Sequence, residues 1–264
     1  GGPLSQLLRF GSRAWQRRVF HPAFWAAAVT GELQIEDVAQ RLAPGVFAYP
    51  LFKKCFAMRL ASDLRHFRRW TERLRLPGVK PADIYITALD ELGGEGFFNR
   101  QFVRRFVSPL VARLLPKESA EGVDGRTYAF ARYYAGPSKG TWDDVPYRSD
   151  GVHHDESTVT VNVALSAPGS FLGGNLSFCG VFGHDDYRKH IYTLDWSSIA
   201  PGTAVIHNGL RRHAAAPLLQ GQRMNLVIWG LSSAPSAVLS GAWETKLAPD
   251  PECLSELYDT DYKQ

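Results

Sequence analysis

The sequence has 264 residues, of which 45% are hydrophobic and 21% charged, as in a globular protein with a sizeable core. Its three cysteines include no CxxC pair. This indicates neither a cysteine zinc site nor a disulfide framework and favours a cytoplasmic or nuclear location. No apolar run approaches the roughly 20 residues that span a bilayer, and the first residues do not resemble a signal peptide, so we expect no membrane span.

The net charge of +4 is unevenly distributed along the chain. Residues 1–115 hold 18 Lys/Arg and 9 Asp/Glu, a net charge of +9, whereas the remainder holds 12 and 17, a net charge of −5. One interpretation is a basic face that binds nucleic acid or another acidic partner. The other is the solvated side of amphipathic helices.

The first 115 residues have the pattern of helices. Residues 1–45 are predicted to be helical, with breaks at His21-Pro22 and Thr30-Gly31 and an end at Pro44-Gly45. Residues 53–74 carry apolar side chains at helical spacing, opposite their arginines. Residues 97–115 repeat this spacing, and Pro109 should kink the helix.

After about residue 125 the pattern becomes that of strands. Residues 128–134 are aromatic and extended, and residues 157–165 alternate with the strand period of two. Residues 175–179, 204–207 and 224–229 are further short strands, the first of them after a turn at Gly173-Gly174. Helices followed by strands predict an α+β fold, with the helices packed on one side of a β-sandwich or barrel.

A candidate metal site begins at the triplet His153-His154-Asp155. On an extended strand, residues two apart face the same side, so His153 and Asp155 can bind one ion, whereas the side chain of His154 diverges. A third ligand must come from downstream, where both His207 and His213 are candidates. Two histidines and one carboxylate leave three positions open on iron. A bidentate 2-oxo acid can fill two of these positions.

Arg223 follows His213 by ten residues and begins the apolar run NLVIW. A permanently charged guanidinium on a strand that is expected to be buried indicates an anionic partner, such as the distal carboxylate of the 2-oxo acid.

In this order, the motifs resemble the signature of the Fe(II)/2-oxoglutarate-dependent oxygenases, in the prolyl- and lysyl-hydroxylase-like group. The segments HHDESTVTVNVALS, GGNLSF and PGTAVIHNGLRRHAAAPLLQGQRMNLVIW resemble procollagen lysyl hydroxylase catalytic domains. Upstream, VFAYPLF, DELG and SPLVARLLP are similar to the 2-oxoglutarate and iron-dependent oxygenase domain-containing proteins of animals and plants. The resemblance covers roughly residues 45–235.

The resemblance implies a double-stranded β-helix (jelly-roll) core and specific roles for residues. His153, Asp155 and His213 would be the catalytic Fe(II) ligands, since the family places a separate HxG element where His207 lies. Arg223, assisted by Asn225, would bind 2-oxoglutarate. Tyr133 would help to hold this cosubstrate, with Tyr134 as the rival, and Leu176 and Phe178 would line its pocket. Ascorbate is an expected reductant.

The expected organisation is an N-terminal helical extension (1–45), an oxygenase domain (46–235) and a C-terminal tail (236–264). Within the domain, residues 46–120 would be helical support and residues 121–235 the jelly-roll core. The expected reaction hydroxylates a C–H bond with 2-oxoglutarate and O₂ and releases succinate and CO₂, with a protein lysyl or prolyl side chain as substrate. The alternatives are an oxygenase for a small molecule or nucleobase, and a non-catalytic binding module.

Overall fold

Two antiparallel β-sheets form the body of the protein in a computed structural model. The structure describes residues 12–74, 86–89, 96–116, 123, 126–136 and 150–232, so the predicted tail, residues 236–264, lies outside the described residues. An eight-stranded sheet and a four-stranded sheet share one apolar cluster. Helices cover the other face of the larger sheet through a second cluster. The fold is therefore α+β and rich in antiparallel sheet.

The helices belong mainly to the first half of the chain. The Ser12 hydroxyl caps the first of them by accepting from Trp15 N, and His21 with Pro22 begins the second. In order, the helices are α1 (Arg13–Val19), α2 (Pro22–Trp25), α3 (Ile35–Val38), α4 (Lys54–Leu74) and α5 (Ser108–Leu114). A π-helical turn (Ala26–Thr30) follows α2, and a π-helical segment (Gly96–Val107) runs into α5.

Twelve strands are described. They are β1 (Gln40–Ala43), β2 (Val46–Pro50), β3 (Ile86–Ala88), β4 (Arg126–Ala135), β5 (Asp150–His153), β6 (Val159–Ala164), β7 (Phe171–Gly173), β8 (Leu176–Val181), β9 (Tyr192–Leu194), β10 (Thr203–Asn208), β11 (Arg211–Ala215) and β12 (Leu218–Leu231). The larger sheet has the order β1-β2-β10-β6-β12-β4-β3, with β7 paired to the start of β12. The smaller sheet has the order β5-β11-β8-β9.

Side chains on the central strands point alternately toward the helix-side apolar cluster and toward the space between the two sheets. On β6, Val161 and Val163 join the helix-side cluster, whereas Thr160 and Asn162 line a cavity on the opposite face. On β12, Leu226 faces the helices and Val227 faces the cavity. Every residue of β6 is buried, because both faces of this strand are covered.

The prediction that residues 1–45 are helical is wrong at its end. Residues 40–43 form β1, which pairs with β2 through a hairpin turn at Pro44-Gly45. Gly45 has a φ of +68° in this turn, a conformation that glycine adopts without steric cost. Pairing with β2 thus overrides the local helical preference.

The cysteines also differ from expectation. Cys179 on β8 is wholly buried and disulfide-bonded, whereas Cys55 is a free, exposed thiol. Sequence spacing gave no sign of this bond, because the fold and not the spacing decides which cysteines approach each other. Among the described helices, none combines the length and the apolar character that crossing a membrane requires.

Backbone hydrogen bonds of Gly202 connect the chain just after β2 to the end of β6. Its N–H donates to Ala164 O at 2.8 Å, and its carbonyl accepts from the N–H groups of Leu51 (3.0 Å) and Phe52 (2.9 Å). Its φ is +92°, and a Cβ here would lie 2.2 Å from Phe52 O.

We expect Gly202→Ala to lower the free energy of unfolding by more than Gly169→Ala does. Both glycines have positive φ, which costs an alanine about 1–2 kcal/mol, but a Cβ on Gly169 meets nothing within 4 Å. The backbone clash at position 202 should add roughly 1–3 kcal/mol. Urea unfolding of both variants measures the difference. Equal losses would contradict the described approach of Gly202 to Phe52.

Candidate metal centre and cosubstrate pocket

Three potential ligand side chains converge between the two sheets. One nitrogen or oxygen from each of His153, Asp155 and His213 lies within 4.8 Å of the others. His153 Nε2 is 3.6 Å from Asp155 Oδ1, and His213 Nε2 is 3.7 Å from Asp155 Oδ2. The three donors therefore surround one point, at a spacing that a single ion can bridge.

Pairing between β5 and β11 brings the two histidines together. His213 is the cross-strand partner of His153, and their ring centroids lie 4.4 Å apart. Asp155 is not on the strand, since β5 ends at His153. Its backbone N–H instead donates to Gly209 O at 2.8 Å, in the turn between β10 and β11. The structure thus brings His153 and Asp155 together, but Asp155 lies beyond the end of β5 and not on a continuous strand with His153.

Backbone carbonyls orient both imidazoles. His153 Nδ1 lies 2.6 Å from Gly151 O, and His213 Nδ1 lies 2.9 Å from Arg211 O. A carbonyl only accepts, so each Nδ1 donates its proton to a carbonyl, and each Nε2 lies toward Asp155. This arrangement leaves both Nε2 atoms ready to bind a metal.

The carboxylate is buried and held in its ionised form. Burial alone raises the pKa of Asp155, but the positive charge of His213 and the nearby His153 imidazole outweigh it and hold this pKa well below its usual range. The Thr160 hydroxyl donates to Asp155 Oδ2 and accepts a hydrogen bond from the Ser157 hydroxyl. The carboxylate is thus both charged and fixed in orientation.

The two competing histidines occupy other positions. The His154 ring stacks on Phe182, with centroids 5.0 Å apart. His207 is fully buried and packs edge-on against His213 at 4.8 Å. Burial lowers the pKa of His207 to about 3, and the charge of His213 acts in the same direction, so its imidazole is neutral. Among the described residues, neither histidine belongs to the convergent group.

The donor set fits Fe(II). Two imidazole nitrogens and one carboxylate oxygen on one side of an ion leave positions for further ligands on the other side. All three residues line a cavity of about 220 Å³, so those positions would open into it. The cavity is lined by Phe130, Arg132, Tyr134, His153, His154, Asp155, Glu156, Thr160, Asn162, Leu176, His213, Ala215, Val227 and Trp229.

Arg223 lies next to this cavity in an aromatic clamp. Its guanidinium carbon is 4.5 Å from the centroid of the Tyr134 ring and 4.9 Å from that of Trp196. Its Nε donates to Asn225 Oδ1 at 3.2 Å, and Nη1 donates to Gly174 O. Tyr134 lines the cavity, whereas Arg223 and Asn225 are not among its lining residues. The guanidinium thus lies next to a cavity wall, and Asn225 orients it.

The assignment of Tyr133 to the cosubstrate pocket is corrected by the structure. Its side chain belongs to the helix-side cluster, its hydroxyl donates to Leu64 O at 3.4 Å, and Arg68 lies 4.8 Å above its ring. Tyr134, the rival, faces the cavity and pairs across the sheet with Arg223. Neighbouring strand residues face opposite sides, so only one of the two tyrosines can reach the pocket.

The two apolar residues expected near the pocket lie beside the cavity or the metal centre, and the structure adds one residue that was not predicted. Leu176 lines the cavity, and Phe178 packs against His213 with ring centroids 6.2 Å apart. Trp196, in a short 3₁₀ turn (Trp196–Ser198), was not predicted. No sequence signal could have found it, because its contact with Arg223 depends on how the chain after β9 folds back.

Comparison with known proteins finds similar oxygenases. A family model described as an OGFOD2-like domain matches residues 13–120. The 2-oxoglutarate and iron-dependent oxygenase domain-containing protein ICU11 of Arabidopsis thaliana is 30% identical over 197 residues, 72% of this chain and 46% of that protein. Residues 13–120 thus match an OGFOD2-like domain, and the chain is similar to 2-oxoglutarate and iron-dependent oxygenase domain-containing proteins.

Further oxygenases are similar to the chain over comparable lengths. The 2-oxoglutarate and iron-dependent oxygenase domain-containing protein 2 of Mus musculus is 30% identical over 81% of this chain and 59% of that protein. The mouse procollagen-lysine,2-oxoglutarate 5-dioxygenase 2 is 25% identical over 66% of this chain and 23% of that protein. The chain spans about half the length of the first of these relatives. A solved Pseudomonas putida prolyl-4-hydroxylase has a TM-score of 0.44 at 14% identity and covers 81% of this chain and 97% of that chain.

We expect His213→Ala to weaken Fe(II) binding by at least about a hundredfold. Loss of a ligand should exceed the roughly 10–100-fold effect of losing a residue that only supports a ligand. His154→Ala is the matched control and should change the affinity by less than about threefold. Anaerobic equilibrium dialysis with Fe(II) measures both variants. If His154→Ala loses the metal and His213→Ala keeps it, the ligand assignment is wrong.

We expect Arg223→Ala to weaken 2-oxoglutarate binding by roughly 10–150-fold, the equivalent of one charge-assisted contact of about 1.5–3 kcal/mol. Tyr134→Leu should also weaken it, because the ring that positions the guanidinium is lost. Tyr133→Leu should leave the affinity within about twofold of the original and lower only stability. Titration with 2-oxoglutarate in the presence of Mn(II) measures all three. Equal effects at positions 133 and 134 would contradict the face assignment.

Proposed function

We propose that this chain is an Fe(II)- and 2-oxoglutarate-dependent oxygenase that hydroxylates a C–H bond of a protein lysyl or prolyl side chain. The observation that carries the proposal is the convergence of two imidazoles and an ionised carboxylate on a cavity beside a clamped arginine. When bound, Fe(II) and 2-oxoglutarate supply the oxidising chemistry. One oxygen atom of O₂ enters the substrate as a hydroxyl group and the other enters succinate, as CO₂ leaves.

The chain's own residues have the tasks of binding, orienting and excluding water. Asp155 would offer a negative charge, and His153 and His213 would offer their Nε2 atoms, to a divalent ion. Arg223 offers a positive charge to a carboxylate, and the fixed geometry of its guanidinium favours a planar anion. Phe130, Val227 and Trp229 give the cavity apolar walls that would limit the access of water to a bound ion.

We also propose that the two sheets form a double-stranded β-helix. Both are antiparallel, they share an apolar cluster, and the ligands lie between them. A small-molecule site at the mouth of two facing sheets is a common arrangement in proteins of this architecture.

A peptidyl substrate is supported by a relative and by the chemistry of the cavity. The mouse relative's name states a procollagen-lysine substrate. Glu156 lines the cavity next to Asp155, and Val227 and Trp229 line it as well. A carboxylate beside apolar walls suits an aliphatic side chain that ends in a cation. Arg132, on the same cavity wall, suits a backbone carbonyl or an acidic neighbour in the same peptide.

A small molecule or a nucleobase is the second candidate substrate. The aromatic residues Phe130, Tyr134 and Trp229 line the cavity, and such rings bind planar ligands well. A non-catalytic module is not supported, because the described ligands and Arg223 are all present.

The decisive experiment measures succinate formed from 2-oxoglutarate with Fe(II) and ascorbate. The assay includes lysyl peptides, prolyl peptides or free nucleosides, and mass spectrometry detects a gain of one oxygen. We expect lysyl or prolyl peptides to stimulate turnover, and His213→Ala to abolish it. If only nucleosides gain oxygen, the second candidate is correct. If the wild-type chain neither binds 2-oxoglutarate nor forms succinate, the oxygenase proposal fails.

Glu156→Gln tests the lysyl preference. Loss of the carboxylate should raise KM for a lysyl peptide by roughly 3–10-fold, because a partly exposed ion pair contributes about 1 kcal/mol. KM for the matched prolyl peptide should change less. An equal change for both peptides would contradict a role of Glu156 in binding the cation.

A further inference from the structure

We propose that the solvent side of α4, together with the adjoining side of α1, is a binding surface for single-stranded nucleic acid. This surface, called the basic face below, goes beyond the proposed oxygenase activity and does not rest on it. Its members are exposed cations on the two helices and one exposed tryptophan: Arg13, Arg17, Arg18, Lys54, Arg59, Arg65, Arg69 and Trp70.

The two sides of α4 are sharply different. Its inner side carries Leu60 and Leu64, which are fully buried in the helix-side cluster. The cations lie on the opposite side and are exposed. They are therefore not needed to cover the core, and their charge is available to solvent or to a partner.

Negative charge is missing from the basic face. Neither α1 nor the exposed part of α4 up to Trp70 carries an exposed carboxylate, and Asp63 is half-buried. Arg65 and Arg69 are four residues apart, a spacing at which like charges on a helix repel. A helix that is merely solvated usually mixes both signs. A polyanion would relieve this repulsion, which gives the surface charge complementarity to nucleic acid.

The cations of the basic face also lack ion pairs among the described residues. Elsewhere on the helical layer, exposed Arg113 is neutralised by Glu36 at 2.8 Å. The other described ion pairs belong to the metal centre. The contrast shows that this chain places acids beside an arginine in one part of its helical surface and not in another.

Helix packing joins the cations of α1 to those of α4. The rings of Trp15 and Phe56 meet edge-on, with centroids 6.5 Å apart, and Lys53 N donates to Val19 O at 2.9 Å. The C-terminal end of α1, with Arg17 and Arg18, therefore adjoins the start of α4. The basic face is thus extended over two helices, as a strand of several nucleotides requires.

An exposed tryptophan favours a single strand over a duplex. Trp70 is 48% exposed, which is unusual for so large an apolar side chain. Unpaired bases stack on exposed aromatic rings, whereas the bases of a duplex are already stacked. The combination of a cationic track and one stacking platform fits single-stranded nucleic acid better than it fits a purely electrostatic partner.

The first test is fluorescence anisotropy with a labelled 20-nucleotide single strand over a range of salt concentrations. We expect the wild-type chain to bind with a dissociation constant of roughly 10⁻⁶–10⁻⁴ M at physiological salt. R65A/R69A should weaken binding at least about tenfold and lower the salt slope by about 1.4, since each phosphate contact contributes about 0.7. The matched control R41A/K189A removes two exposed charges from β1 and from the β8–β9 connection and should change binding less than twofold.

The second test separates stacking from charge. Trp70→Ala should weaken single-strand binding at least about fivefold, leave the salt slope unchanged, and alter duplex binding less than twofold. Thermal unfolding of each variant verifies that the fold is intact. The proposal is overturned if the wild-type chain does not bind, if R41A/K189A loses as much affinity as R65A/R69A, or if Trp70→Ala has no effect. It is also overturned if anionic phosphatidylserine vesicles bind more tightly than the oligonucleotide.

Discussion

The pairing of β11 with β5 places His213 directly opposite His153, and the metal centre depends on this register. A shift of one residue would turn His213 away from the cavity, since strand neighbours face opposite sides. The same short turn that separates β10 from β11 accepts the N–H of Asp155. One local arrangement therefore positions all three ligands, and residues on both sheets must be correctly packed before any of them is in place.

Burial of this centre has an energetic consequence for the fold. Asp155 and His213 are 4% and 7% exposed, and burial of a carboxylate without a compensating charge is costly. The Thr160 hydroxyl and the two histidines offset part of this cost. A divalent ion at the same point would offset more, so metal binding and folding stability are linked in this chain.

The sequence predicts side chains whose spacing is local or follows an ordered motif, and it does not predict arrangements that depend on packing. His153, Asp155 and Arg223 were proposed from strand geometry and charge, and the structure brings the first two together although Asp155 lies beyond the end of β5. Tyr133 and Tyr134 could not be distinguished, because their alternative faces depend on the pairing of β4 with β12. Residues 40–43 form a strand only because β2 lies beside them. The contact of Trp196 with Arg223 depends on the path of a loop. The periodicity of apolar residues in the sequence does not determine that path.

The position of the basic face changes the meaning of the charge asymmetry. In the sequence, a basic first half agrees with a nucleobase substrate, with a basic binding face and with the solvated side of amphipathic helices. In the fold, Leu60 and Leu64 attach α4 to the helix side of the larger sheet, whereas Thr160 and Val227 line the cavity on its other side. A strand bound along α4 is thus separated from the cavity by the sheet itself. Nucleic acid on the basic face would localise the enzyme and would not present a base to the metal, so the charge of this face gives no support to nucleobase oxidation.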